Sequence, residues 1–261
     1  MNRRRKLLSS AALALLITPS AWSFTLNSTS GSLRGYTGDE VQVYLNPSNC
    51  SASIYGDIVA AVDFLNRVPT SGLKLSFKGD TTSASAANII SQVSGNSFSE
   101  DMIITCSTDY LTDSTSSPNS SIAIGFSAAF DGTHITIGGV IINEDSGQVY
   151  SNLNSTKRKI VLAHEMGHVL GLGHSEEPGA LMHYSIAEKT ELRLHQDDVD
   201  GFTFLYPRDE LFDDGPLGCA RVSGQLPPPP SRGLTLLLWL MIPLIWIKKG
   251  QLRKAGLEKT S

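Results

Sequence analysis

The stretch His164-Glu165-Met166-Gly167-His168-Val169-Leu170-Gly171-Leu172-Gly173-His174 holds three imidazoles, one carboxylate and a spaced glycine within eleven consecutive residues. On a helix of about 3.6 residues per turn, His164 and His168 stand four apart and project from one face, one turn above the other. Glu165 lies beside the first histidine but turned about 100° around the helix, so it reaches the same region without having to ligate there. Gly171 falls where the chain must leave the helix, and a residue without Cβ takes the left-handed conformation that reverses direction. That turn brings His174 back towards the other two rings. Three neutral imidazoles suit zinc and leave a fourth tetrahedral position for water, as in a catalytic rather than a closed structural site. The expectation is one catalytic Zn2+ on His164, His168 and His174, with Glu165 as general base.

The residues that follow narrow the pattern: His174-Ser175, then Pro178-Gly179-Ala180-Leu181-Met182, then His195-Gln196-Asp197-Asp198-Val199-Asp200-Gly201-Phe202-Thr203-Phe204-Leu205-Tyr206. Together with the histidine motif they resemble the metzincin clan of zinc peptidases and, within it, the matrixin family. The resemblance covers about the middle two-thirds of the chain and is strongest over residues 160–206. It implies an α+β catalytic domain with a twisted mixed β-sheet, a backing helix, an active-site helix, and a small C-terminal subdomain with a Met-turn and a closing helix. Met182 would be the Met-turn methionine, an apolar floor beneath the ligands. Two departures limit what carries over. Only His134 precedes the motif, so the second, structural zinc of animal matrixins is not expected. Met182-His183-Tyr184 is more like the astacin Met-turn, which makes Tyr184 a candidate stabiliser of the reacting oxyanion, beside a plainer reading as a packing or pocket-lining residue. His183 and His195 are not expected to ligate, since three spaced ligands already complete the site. Calcium is not excluded by the sequence, and no residue pattern supports it.

Around this core the chain divides into four parts. Residues 1–23 read as a signal peptide: Arg3, Arg4, Arg5 and Lys6 precede an apolar run, and Ala21-Trp22-Ser23 offers small residues for cleavage after Ser23. Residues 24–207 form the peptidase-like domain and 208–232 a polar, Pro-rich stalk. Residues 233–261 carry an apolar block from Leu234 to Ile247 followed by a basic tail. As a helix that block reaches about 21 Å, short of the roughly 30 Å hydrocarbon core, so spanning needs snorkelling lysines or local thinning. Its position before basic residues predicts a cytoplasmic tail and an outward-facing catalytic domain, and it also resembles a bacterial C-terminal sorting signal read by a processing enzyme. The expected location is extracytoplasmic, tethered to the membrane or released after processing. Without the leader basics and the residues after Ile247, 12 basic residues face 24 acidic ones, which argues against nucleic acid as a partner. Of three cysteines, Cys50 and Cys106 fall in the domain, where an exported context permits them to pair; Cys219 in the stalk is the odd one.

Periodicity supplies the remaining elements. Residues 41–45 and 73–77 alternate as strands, 102–106 read as a buried strand, and 55–67 place Ile58, Ala61, Val62 and Leu65 at helical spacing. Residues 81–99 read as a surface loop with a short helix, and 107–121 as Ser/Thr-rich irregular chain. Two strands, 122–126 and 135–142, flank the turn at Asp131-Gly132, and by resemblance the first is the edge strand lining the cleft. Such a strand can pair with an extended substrate. The active-site helix should be capped by Ser155 or Thr156, and a final helix over about 196–206 should bury Val199, Phe202 and Leu205. The resemblance thus implies an exported zinc endopeptidase acting on protein or peptide substrates. A zinc hydrolase of a non-peptide cell-wall amide, or a catalytically silent binding or adhesion module, stays open beside it.

Overall fold

The computed structural model describes residues 24–28, 33–38, 40–114, 121–145 and 150–208. The expected signal peptide over 1–23, the expected stalk with Cys219 and the expected membrane-directed segment over 233–261 lie outside these residues. Among the described residues no helix is long and apolar enough to cross a membrane.

In chain order the elements are β1 (Arg34–Tyr36), β2 (Val41–Leu45), α1 (Ile54–Leu65), β3 (Leu75–Asp80), α2 (Ile89–Gly95), β4 (Met102–Ser107), α3 (Tyr110–Ser114), β5 (Ala123–Ala128), β6 (His134–Ile135), β7 (Ile137–Asn143), α4 (Ser155–Val169) and α5 (Gln196–Leu205). Five strands form one sheet in the order β3-β2-β4-β7-β5. All neighbours are parallel except β5, which runs antiparallel to β7 at the edge. The central strands β4 and β7 are buried at every position, as strands covered on both faces must be, and their sequences MIITCS and IGGVIIN carry no alternation. On one face, Val43, Met102, Ile104, Val140 and Ile142 pack against Ile58, Ala61 and Leu65 of α1 and Ile160, Ala163 and Val169 of α4. On the other, Ile103, Ile137 and Ile141 meet Ile89 and Val93 of α2 and Tyr110 of α3. The mixed sheet, the backing helix α1 and the active-site helix α4 are those the sequence led us to expect.

Several local expectations are corrected. Strand β3 begins at Leu75 rather than residue 73, because its register is set by pairing with β2, Val41 opposite Leu75. The irregular stretch after β4 contains the short helix α3, anchored where Tyr110 N–H donates to Asp145 and the buried Tyr110 ring enters the core. The cap of α4 is Asn154, not Ser155 or Thr156: its carboxamide oxygen accepts from Lys157 N–H at 2.9 Å. In α5, Phe202 and Leu205 are buried as expected, but Val199 is only partly so, while Asp197 and Asp198 are buried instead. The single strand expected over 135–142 is two, because His134–Ile135 (β6) pairs with β1 in a separate two-stranded sheet while Ile137–Asn143 (β7) joins the main sheet; β1 had no counterpart in the sequence reading.

Two covalent or ionic links join distant segments. Cys50 and Cys106 form a disulfide tying the start of α1 to the end of β4. Arg158 Nε on α4 meets the buried Asp57 Oδ2 on α1 at 2.8 Å, and Tyr150 OH donates to the same oxygen. A charge buried between two helices needs such partners, and here they fix the two helices that back the site.

Candidate metal centre and active site

Helix α4 delivers His164, Glu165 and His168, and ends at Val169. Gly171 follows with φ +108°, the left-handed conformation the turn requires. The chain then reverses and carries His174 back against the helix. The three rings converge, with centroids 4.7 Å apart for His164 and His168, 4.7 Å for His168 and His174, and 5.4 Å for His164 and His174. One ring nitrogen from each lies within 4.8 Å of the others.

Hydrogen bonds decide which nitrogens face inward. His164 Nδ1 donates to the Leu181 carbonyl at 2.8 Å and His168 Nδ1 to the Leu172 carbonyl at 2.8 Å. A carbonyl only accepts, so both Nδ1 atoms carry the proton and each neutral ring turns a bare Nε2 into the site. His168 Nε2 and His174 Nε2 are 3.2 Å apart. Two nitrogens on a tetrahedral zinc, each at about 2.0–2.1 Å, stand about 3.3 Å apart, so this donor set fits that ion. Burial pulls the protonation of His164 down to about 3 and of His168 to about 4, and lowers that of His174. All three are therefore neutral near pH 7, the form that binds a metal.

Glu165 stands at the floor of the same cleft, and its Oε2 accepts from Gly125 N–H at 2.7 Å. Without a metal, burial pushes this carboxyl up to about 8, against the lowering effect of that N–H; a dication held by the three histidines would favour its ionised form, the one able to act as a base. Asn143 N–H donates to the Ile122 carbonyl, so the backbone groups of even-numbered β5 residues turn to β7 and those of Ala123 and Gly125 turn to the open edge. The cleft, about 460 Å³, has Ile122, Val161 and Ile186 as apolar walls beside the histidines.

The Met-turn is held from α5. Asp198 is 1% exposed, and its two oxygens accept from Leu181 N–H at 2.7 Å, Met182 N–H at 3.0 Å and His195 N–H at 2.8 Å. Desolvation raises this carboxyl above the ordinary range despite those three donors. Leu181 in turn accepts from His164, so α5 orients a ligand through two hydrogen bonds. Met182 is buried in the core cluster beneath the site. Tyr184 is 73% exposed and lines the cleft, its ring tilted against that of His183 with centroids 4.2 Å apart. His183 bonds the backbone of Ser185, and His195 caps α5, so neither joins the ligand group.

The structure places the three histidines and Glu165 in the lining of one cleft, and adds Asp198, which the sequence reading did not single out. The only signal for it was an Asp-Asp pair at a helix N-terminus, which ordinarily complements the helix dipole at the surface.

A family model described as Matrixin matches residues 74–207, just over half of the chain. The chain belongs to the matrixin family. Matrixins are zinc metalloendopeptidases of the metzincin clan that use a catalytic zinc, and among the described residues the cluster of His164, His168 and His174 could hold one. Similar proteins include neutrophil collagenase from Homo sapiens, 42% identical over 65 residues, which is 24% of this chain and 14% of that protein. Interstitial collagenase from Bos taurus is 41% identical over 70 residues, covering 27% of this chain and 15% of its own length. The 72 kDa type IV collagenase from Gallus gallus is 51% identical over 47 residues, covering 18% and 7%. The matrixin chain thus aligns with 15% or less of the length of these relatives.

Proposed function

We propose that the protein is an exported zinc-dependent endopeptidase whose ligands are His164, His168 and His174 and whose general base is Glu165. The observation that carries this reading is the Glu165 carboxylate beside three inward-facing imidazoles and hydrogen-bonded to an edge strand. When bound, zinc supplies Lewis acidity, acidifying a water and polarising the scissile carbonyl. Glu165 takes the proton of the attacking water and returns it to the departing amine. Gly125 N–H holds one carboxylate oxygen and leaves the other for the proton. The Ala123 N–H and the Gly125 carbonyl offer backbone pairing to an extended substrate, which binds it with little sequence preference, while the Ala123 carbonyl accepts from the Ser121 hydroxyl at 2.7 Å. The apolar walls Ile122, Val161 and Ile186 favour a hydrophobic side chain next to the scissile bond.

Tyr184, exposed at the cleft, takes the part of oxyanion stabiliser or of a substrate-contacting wall. The leader at residues 1–23 supplies export, and the disulfide suits an oxidising compartment. The domain over 24–207 is carried on the stalk 208–232, and the segment 233–261 directs it to the membrane or to a processing enzyme.

The test is cleavage of an unfolded protein by the purified chain with and without chelator, beside Glu165→Gln. Cleavage abolished by chelator, restored by zinc and lost in Glu165→Gln is expected. Zinc binding without any peptide cleavage would refute the endopeptidase reading and favour a non-peptide amide. Cleavage surviving Glu165→Gln would refute the assigned base.

A further inference from the structure

The turn carrying the third histidine is bound on its outer side by a segment far from it in sequence, residues 25–27. Asn27 N–H donates to the Gly171 carbonyl at 2.8 Å and Gly173 N–H to the Thr25 carbonyl at 2.8 Å, so Leu26 and Leu172 form an antiparallel bridge. Two side chains reinforce it. Thr25 Oγ1 donates to the His174 carbonyl at 2.5 Å, and Asn27 Nδ2 donates to the His168 carbonyl at 3.4 Å. Both acceptors belong to residues whose rings face the site.

This close approach depends on the residue before the third histidine. A Cβ on Gly173 would stand 2.4 Å from Thr25 Oγ1 and 3.0 Å from the Leu26 carbonyl oxygen, inside contact distance of both. Phe24, packed on Phe204 of α5 with ring centroids 5.4 Å apart, secures the start of the segment.

His174 needs such support more than its partners do. His164 and His168 are set by helix geometry, and their rings are aimed by carbonyls. His174 is itself exposed and follows the turn after α4 has ended, flanked by Gly173, held by Thr25, and the buried Ser175, whose N–H donates to the Met182 carbonyl. A ligand free to swing loses conformational entropy when a metal fixes it, and a partner that fixes it beforehand removes that cost.

We infer that residues 25–27, and the Thr25 hydroxyl in particular, are a positioning clamp that holds His174 in ligand geometry. This rests on the zinc reading above and extends the metal site to the segment that directly follows the expected leader. Thr25 and Asn27 are positioning residues that act through the turn and touch no reacting atom.

The test uses the full chain as Thr25→Val, Thr25→Ser and Asn27→Ala. Zinc affinity is read by competition with a chromogenic chelator, ligand geometry by the visible spectrum of the cobalt-substituted protein, and folding by thermal unfolding of the metal-free protein. Thr25→Val is expected to weaken zinc binding about tenfold or more and to shift the cobalt bands, as loss of a supporting partner does at other sites. Thr25→Ser, which restores the hydroxyl, should return both readouts to those of the parent. Asn27→Ala, with the longer bond, should weaken zinc binding in the same direction and less. Parental zinc affinity and cobalt spectrum in folded Thr25→Val would overturn the clamp, and so would equal weakening in Thr25→Val and Thr25→Ser. Should Thr25→Val fail to fold, Asn27→Ala decides, unchanged affinity there overturning the clamp. A parent chain that binds no zinc would instead overturn the zinc reading, so the two failures are distinguishable.

Discussion

Asp198→Asn removes a charge from beneath the site while conserving shape. The carboxylate accepts three backbone N–H groups, two at Oδ2 and one at Oδ1. An amide offers one oxygen, so its better orientation keeps Leu181 and His195 N–H and turns its NH2 towards Met182 N–H. That buried donor is left without an acceptor, which costs about 1–3 kcal/mol, and the two retained bonds weaken by about 1 kcal/mol each on losing their charge. Relief of the carboxylate's desolvation, visible in its raised pKa, offsets part of this. A net loss of about 2–4 kcal/mol remains, and in a domain of this size it lowers Tm by about 4–16 °C. The same substitution loosens Leu181, whose carbonyl aims His164, so zinc affinity should fall about tenfold. Thermal unfolding of the metal-free protein followed by circular dichroism, with zinc affinity from chelator competition, checks both numbers. A Tm within about 2 °C of the parent would refute the view that Asp198 supports the Met-turn. Parental zinc affinity in a destabilised variant would refute its link to His164.

Other perturbations separate chemistry from support. Glu165→Gln keeps the shape of the base and loses its proton chemistry, so kcat/KM on a quenched peptide should drop about 10²–10⁴-fold with zinc affinity little changed. Replacing Cys50 and Cys106 together by Ser opens a link of sequence separation 56, and the chain-entropy estimate is about 4 kcal/mol of lost stability, measurable by urea unfolding. Asp131 accepts from the backbone and ring of His134 and from Thr133 N–H, which hold its carboxyl down at about 2. Because the folded value lies below the unfolded one, the associated stability is fully present above the ordinary carboxylate pKa and lost as pH falls through about 2. A carbon-13 titration should place the Asp131 midpoint there, and His134→Ala should move it upward.

What could be read early shares one property, that the deciding interactions are local. The spacing of His164 and His168 is a property of any helix, and Gly171 marks its end by a backbone conformation other residues avoid. Helix α1 and strands β2 and β4 announce themselves through periodicity or unbroken apolar runs, because burial selects the same faces repeatedly. The start of β3 was misplaced because both Leu73 and Leu75 are buried, and only pairing with β2 distinguishes strand from approach. The cap of α4 fell one residue early because Asn154, Ser155 and Thr156 are all competent caps, and the backbone path chose among them.

By itself the sequence determined the donor set: three histidines and a glutamate whose spacing brings them to one place on a helix and its following turn. It also determined an α+β chain around them, since period-2 and period-3.6 patterns survive without knowledge of partners. Tertiary structure alone decided what holds those groups still. Asp198 beneath the Met-turn, Gly125 N–H on the Glu165 carboxylate, and Thr25 and Asn27 on the third-ligand turn come from segments 17 to 149 residues away in the chain. Their hydrogen bonds go mostly to or from backbone groups, which every residue possesses, so no side-chain pattern records them. Only the folded path, which places one segment's carbonyls and N–H groups beside another's, makes them visible.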